Sequence, residues 1–66
     1  MTLKLRQVRQ ERGLTLLDLA SMAHIYESDL SQVERGQRPA YPGWQERISR
    51  VLRVPEEELF SEAKVE

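Results

Sequence analysis

Apolar residues recur at helical spacing along almost the whole 66-residue chain, and stop signals divide them into short segments. No run alternates apolar and polar side chains over the length of a strand, so the pattern indicates helices rather than sheets. Gly13 and Gly36 follow two of the segments, where glycine commonly ends a helix in the left-handed conformation. A chain of this length forms one domain at most. The sequence therefore predicts a single all-α domain of five short helices.

The predicted helices lie at about residues 3–12, 15–23, 27–35 and 44–53, with a short fifth helix starting near Pro55. Thr15 and Asp18 have the spacing of a capping box, which marks the start of the second helix. Trp44 begins the apolar stripe of the fourth helix and is expected in the core. Residues 1–60 are assigned to the domain. Residues 61–66 are expected to form a frayed, acidic C-terminal tail.

The composition excludes several classes of function. The chain has no cysteine and one histidine, His24, so no disulfide, metal site, thiol chemistry or cofactor is expected. His24 with neighbouring serines and aspartates lacks an oxyanion motif, so the chain is not expected to be an enzyme, and His24 is interpreted as a turn residue. No apolar run is long enough for a membrane span, and the N-terminus lacks a signal peptide. These features predict a cytoplasmic binding domain.

The net charge of −1 hides an uneven distribution of charge. Residues 1–54 contain nine Lys and Arg against six Asp and Glu, whereas residues 55–66 contain one lysine against five glutamates. The body of the chain is therefore mildly basic and its end is acidic. Because salt screens charges beyond about 8–10 Å, the local field of a small binding face matters more than the total charge.

Several segments together carry a resemblance to a known family: Leu5–Thr15, Asp18–Ala20, Leu30–Pro39, Ile48–Leu52 and Leu59–Phe60. The most specific part is the Glu-Arg-Gly sequence at residues 34–36. The chain resembles the helix-turn-helix family of phage repressors and Cro, of the xenobiotic-response-element type, over about residues 3–60. The resemblance implies a lambda-repressor-like DNA-binding domain, in which helices two and three form the helix-turn-helix and helix three lies in the major groove.

The resemblance also implies roles for individual residues. Base edges would be read by residues at the start and on the exposed side of helix three: Tyr26, Glu27, Ser28 and Gln32. Backbone phosphates would be bound by Thr15, Arg35, Arg38 and Tyr41, and arginine suits this task because its planar fork donates paired, charge-assisted hydrogen bonds. The family further pairs Arg9 with Glu34, which would join helix one to helix three.

Each of these roles has a plainer alternative. Arg9 would otherwise contact phosphate, and Arg35 and Arg38 would otherwise be ordinary solvated charges, as Arg6 and Arg12 are expected to be. Gln32 is as easily explained by solvation as by base contact. For Tyr41, packing against the domain and donation to a phosphate are equally expected.

The sequence departs from the family pattern at several positions: His24 replaces the usual glycine of the turn, Tyr26 replaces the usual serine at the start of helix three, and two pairs of residues differ as well. Leu16 and Leu17 stand where the family prefers polar residues, and only one of them can face the core. The other would contact a thymine methyl group or a sugar, or form part of a protein-binding patch. Glu27 and Asp29 place two acids at the front of helix three, where they repel phosphate, although Glu27 can accept a hydrogen bond from cytosine N4. Asp29 also suits the positive end of its own helix.

The leading hypothesis is a sequence-specific regulator of transcription that binds double-stranded DNA. Since one such module reads few bases, a homodimer on half-sites about 34 Å apart is expected. The alternative hypothesis is a protein-interaction module with weak or no DNA binding. Its partner would bind through Leu16, Leu17 or the C-terminal helix, where Phe60 would be partly exposed if that end forms dimers.

Overall fold

A computed structural model describes residues 2–63 of the chain. Within these residues the backbone forms five α-helices: α1 (Lys4–Glu11), α2 (Leu16–Ala23), α3 (Glu27–Glu34), α4 (Pro42–Leu52) and α5 (Glu56–Leu59). The predicted all-α, five-helix fold is confirmed. Most helix ends lie one or two residues from the expected positions. None of the helices in the described part of the chain has the length and apolar character needed to cross a bilayer.

The start of α2 is fixed by the predicted capping box. The hydroxyl oxygen of Thr15 accepts from the backbone N–H of Asp18 at 3.0 Å, and the Asp18 carboxylate accepts from the backbone N–H of Thr15 at 2.9 Å. Just before it, Gly13 has a φ of +70°, in the left-handed region where glycine carries no steric penalty. The turn between α1 and α2 therefore follows from local sequence signals.

The turn between α2 and α3 has no such signal. His24 takes the left-handed conformation, with φ of 56°, at the C-cap of α2. A residue with a Cβ atom adopts this conformation at a cost of about 1–2 kcal/mol. The next residue, Ile25, donates its N–H to the carbonyl of Ala20 at 2.9 Å and is buried, which anchors the turn. Packing of Ile25 thus enforces a conformation that the residue type alone does not favour.

The hydrophobic core lies where the helices converge. Helix α2 packs against α3 and α4, α1 packs against α3 and α5, and α4 packs against α5. The largest fully buried side chains come from every helix: Leu5, Leu19, Leu30, Val33, Ile48, Leu52 and Leu59. Trp44 was expected in the core but is only partly buried at its edge, because it lies in the first turn of α4, beside the exposed loop that follows α3.

Two arginines satisfy carbonyl groups at the ends of helices, which otherwise lack intrahelical partners. Arg12 donates to the carbonyl of Leu52 at 2.6 Å, and Arg47 donates to the carbonyl of Ala23 at 2.7 Å. Arg12 is therefore not the merely solvated charge that the sequence suggested. Arg47 holds α4 against the end of α2, directly before the turn that leads into α3.

The two ends of the described chain lie side by side. Leu3 and Glu62 form an isolated antiparallel bridge, and the N–H of Ala63 donates to the carbonyl of Thr2 at 2.8 Å. The expectation of a frayed tail is therefore wrong for residues 61–63, because their backbone groups pair with the segment that precedes α1. Residues 64–66, the rest of the expected tail, lie outside the described residues.

Candidate nucleic-acid interface

Helix α3 has one face in the core and one in solvent. Leu30 and Val33 are fully buried, whereas Ser28, Gln32 and Arg35 are exposed. The exposed three are spaced by four and three residues, so they share one side of the helix and its C-terminal cap. This arrangement presents short and long polar side chains together on a helix whose opposite side is fixed by packing.

The start of α3 projects further residues into solvent. Tyr26 caps the helix with its backbone and is 80% exposed, and Glu27 beside it is exposed as well. The N-terminal turn of a helix carries partial positive charge, which favours the two acids of this turn, Glu27 and Asp29. The sequence-predicted residues are thus all accessible: Glu27, Ser28 and Gln32 belong to α3, and Tyr26 is its N-cap.

A buried ion pair fixes α3 against α1. Arg9 donates from Nε and Nη2 to the two carboxylate oxygens of Glu34, at 2.8 and 3.1 Å. A third hydrogen bond runs from Arg9 Nη1 to the carbonyl of Leu14 at 2.8 Å. The pairing implied by the family resemblance is therefore present in the structure, and it keeps the Arg9 side chain only 10% exposed, away from a phosphate.

The predicted phosphate-binding residues Arg38 and Tyr41 form a cluster with two others. Arg38 donates from Nη1 to the Asp29 carboxylate at 2.6 Å, and its Nη2 lies 3.4 Å from the Tyr41 hydroxyl. The guanidinium also lies 5.3 Å from the centre of the Trp44 ring, and Tyr41 packs edge-on against Trp44. The hydrogen bond with Tyr41, helped by the charge of Asp29, raises the pKa of Arg38 above its ordinary value.

Tyr41 packs against the domain and is also accessible. Its ring lies edge-on against Trp44, and the residue is 54% exposed. Asp29, expected to act on its own helix, also pairs across to the loop after α3. Nothing in the sequence spacing pointed to this pair, because the two residues are nine positions apart and are joined only by the folding of that loop.

Arg35 lies at the other end of α3, and its side chain is exposed. Its Nε donates to the carbonyl of Ser31 at 3.3 Å, which directs the guanidinium along the helix. Arg35 and Arg6 line one open depression of about 180 Å³ between α1, α2 and α3, together with Leu16 and Ser31. The exposed Thr15 lies immediately before α2. Its hydroxyl oxygen accepts the capping bond from the Asp18 N–H.

The two adjacent leucines divide as the helical spacing requires. Leu16 packs partly against the core, and Leu17 is 60% exposed. Met22, which the sequence reasoning missed, is also exposed on α2. Among residues 2–63, no group of three or more histidine, cysteine, aspartate or glutamate side chains is arranged to hold a metal ion.

The sequence model of the helix-turn-helix domain family matches residues 1–60. The chain belongs to this family. The helix-turn-helix consists of α2, the turn at residues 24–26, and α3, as the resemblance implied. No curated protein sequence matches the chain.

Solved structures of helix-turn-helix regulators share the fold. The restriction-modification controller protein C.AhdI from Aeromonas hydrophila is 32% identical, with a TM-score of 0.80 and 86% of each chain covered. The N-terminal DNA-binding domain of SinR from Bacillus subtilis is 32% identical, with a TM-score of 0.81, covering 94% of this chain and 91% of that domain. SinR, the master regulator for biofilm formation, is also solved in complex with DNA. That structure is 32% identical, with a TM-score of 0.79, and 88% of this chain and 94% of that chain are covered.

Proposed function

We propose that this helix-turn-helix protein is a transcription regulator that recognises a specific double-stranded DNA sequence through α3. The observation that carries the proposal is the exposed polar face of α3, held in place from behind by the core and by the Arg9–Glu34 pair. A helix fits the major groove of B-DNA, where polar side chains match the donors and acceptors of base edges. The likeness to the SinR–DNA structure supports the same reading.

Individual contacts are proposed from exposure and position. Tyr26, Glu27, Ser28 and Gln32 read bases, because they occupy the start and the solvent face of the helix that enters the groove. Thr15, Arg35, Arg38 and Tyr41 bind phosphates on either side, and these sequence-independent contacts set the register of the helix. The basic residues draw the acidic DNA backbone to the domain, since the excess of positive charge lies in residues 1–54.

We further propose that the domain of residues 1–60 acts in the cytoplasm as a homodimer. One recognition helix contacts only a few base pairs, whereas two copies read both halves of a palindromic site. Phe60, next to α5, is partly buried and lines an open groove of about 410 Å³ with Leu3, Val33, Pro39 and Ala40. Arg38 and Gln45 also line this groove, and its apolar part supports pairing with a second copy at the C-terminal end of the fold.

Selection of bound sites from a random duplex library at low salt tests the proposal. The purified chain is expected to enrich a palindromic site, and a variant with Arg35→Ala and Arg38→Ala is expected to lose that enrichment. The spacing of the two half-sites then reports the dimer geometry. A folded chain that enriches no site contradicts DNA recognition by this domain.

Exposed apolar side chains favour protein recognition as the second candidate function. Leu17, Met22 and Tyr26 are 60%, 52% and 80% exposed, and they belong to α2 and to the turn that follows it. Salt separates the two functions, because phosphate contacts make log affinity fall steeply with log salt. An apolar protein interface is expected to keep its affinity over the same range of salt.

A further inference from the structure

The guanidinium of Arg38 is already partly engaged within the folded domain. Its Nη1 binds the Asp29 carboxylate at 2.6 Å, and the side chains of Arg38 and Asp29 are 32% and 23% exposed. Asp29 belongs to the first turn of α3, directly after Glu27 and Ser28. The acid therefore sits on the turn that the proposed function brings to the DNA, and it holds one of the arginines proposed to meet the phosphates.

A carboxylate and a phosphate bind an arginine through the same N–H donors. Both accept charge-assisted hydrogen bonds from the planar fork of N–H donors, so an Nη1 donor engaged by one is withheld from the other. A phosphate that binds Arg38 through this donor must displace Asp29. The displaced carboxylate then lies unpaired beside a DNA strand of the same charge.

We propose that Asp29 determines the DNA affinity of this domain by competing with backbone phosphate for Arg38. The inference rests on the proposed function, and it adds a residue that contacts no DNA itself. The pair lowers affinity in two ways, since a phosphate that takes the Nη1 donor breaks the Asp29–Arg38 contact and leaves the Asp29 charge near phosphate. When the carboxylate is replaced by an amide, the charge near phosphate disappears and the ion pair becomes at most a weaker, neutral hydrogen bond.

The aromatic cluster keeps Arg38 in position without Asp29. The guanidinium lies 5.3 Å from the Trp44 ring centre and 5.7 Å from the Tyr41 ring centre, distances at which a cation is attracted to an aromatic ring. The Tyr41 hydroxyl is a further contact at 3.4 Å. Asp29→Asn is therefore expected to weaken the hold on the Arg38 Nη1 donor while the side chain stays at the interface.

A double-mutant cycle on the full chain tests the competition. Affinity for a short mixed-sequence duplex at low salt is measured for the wild type, Asp29→Asn, Arg38→Ala and the double variant. Asp29→Asn is expected to tighten binding by about two- to five-fold, the value of a partly exposed ion pair. The gain is expected to be clearly smaller in the Arg38→Ala background, where only charge repulsion remains to be relieved. Melting curves of all four proteins establish that each is folded.

Glu27→Gln provides the matched control. It removes one negative charge from the same turn, but the Glu27 side chain makes no hydrogen bond or ion pair to Arg38 within residues 2–63. Its effect on affinity is expected to be the same with and without Arg38.

If the wild-type chain binds the duplex, three results would overturn the inference alone. The first is that Asp29→Asn gives no gain in affinity or weakens binding, which would make the pair a purely structural contact. The second is a gain that is equal or larger in the Arg38→Ala background, which would leave simple repulsion as the cause. The third is that Glu27→Gln shows the same dependence on Arg38 as Asp29→Asn. A folded wild-type chain that binds neither this duplex nor any library site instead overturns the proposed function, and the inference with it.

Discussion

Arg9 and Glu34 join α1 to α3 through two side-chain hydrogen bonds, between side chains that are only 10% and 3% exposed. Arg9 also donates from Nη1 to the carbonyl of Leu14, so the same side chain fixes the turn before α2. Taking two charges out of water is costly, and the cost is offset only when both partners are present with good geometry. The pair therefore couples the position of three helices to one interaction.

Removal of one partner is expected to destabilise the domain severely. Glu34→Ala leaves the Arg9 charge buried without its partner, which costs about 3–5 kcal/mol of unfolding free energy. Urea unfolding followed by Trp44 fluorescence measures this loss. Glu46→Ala is the matched control, because it breaks the exposed pair with Arg50 and is expected to cost less than about 1 kcal/mol. Equal stability of Glu34→Ala and the wild type would show that the buried pair contributes nothing.

Arg35 is expected to contribute to DNA affinity without regard to sequence. Arg35→Ala removes one phosphate contact, so the slope of log affinity against log salt should become shallower by about one. Titrations of a fluorescent duplex at several salt concentrations give the slope. Arg50→Ala, an exposed arginine on α4, should leave it unchanged. An unchanged slope for Arg35→Ala removes this residue from the interface.

Glu27 is expected to specify a base. A carboxylate can accept from cytosine N4, whereas the amide of Glu27→Gln also donates and suits adenine. The substitution should therefore change the preferred base at one position of each half-site. Stability should change by no more than about 0.5 kcal/mol, because the residue is exposed. Site selection with both proteins makes the comparison, and identical selected sites would rule out base reading by Glu27.

The capping box gives the domain a defined response to acid. The hydrogen bonds that Asp18 makes with the Thr15 backbone and side chain lower the pKa of its carboxyl below the ordinary value of 3.8. A lowered pKa in the folded state means that the ionised form stabilises the fold. This contribution is complete above pH 3.8 and is lost as the pH falls through the folded-state pKa.

An NMR titration of the Asp18 carboxyl tests this assignment. The folded-state pKa is expected to lie below 3.8 in the wild type and to move up toward that value in Thr15→Ala. Thr15→Ser keeps the hydroxyl and should retain the lowered pKa. An unshifted pKa in the wild type would mean that the capping box does not persist in solution.

The left-handed backbone conformation of His24 is expected to cost stability that a glycine at this position would recover. His24→Gly relieves about 1–2 kcal/mol of steric cost and adds about 0.5–1 kcal/mol of chain entropy to the unfolded state. The net effect should be a stabilisation of about 0.5–1 kcal/mol, seen as a higher melting temperature. Met22→Gly, in the interior of α2, should instead lose about 1 kcal/mol. A lower melting temperature for His24→Gly would show that the imidazole itself supports the turn.

The fold could be predicted from the sequence wherever a local signal fixes the backbone. Gly13, Gly36 and the Thr15–Asp18 capping box mark helix ends by their own conformational preferences, and the structure places the ends there. The turn at His24 could not be predicted in the same way, because the buried Ile25 enforces it against the preference of the residue. The pairing of residues 61–63 with residues 2–4 is a contact between distant segments, which no local pattern encodes.

In the candidate site, too, local features could be predicted from the sequence and contacts between distant segments could not. Exposure of Ser28, Gln32 and Arg35 follows from helical spacing once Leu30 and Val33 are assigned to the core. The contacts of Arg12, Arg38 and Arg47 do not follow, because long charged side chains reach partners on other segments after folding. The sequence therefore shows which residues carry a positive charge that could bind DNA. Only the structure shows which of these side chains already have a partner within the protein.

The two faces of α3 give this domain a separation between specificity and stability. Within the described residues, the side chains of Glu27, Ser28 and Gln32 take no part in the hydrogen bonds or ion pairs that hold the helix, which instead depends on Leu30, Val33 and Glu34. The outward residues can therefore vary independently of folding. A chain of this design can acquire a new target by a few substitutions on one helix surface, which makes it a suitable scaffold for retargeting by mutation and selection.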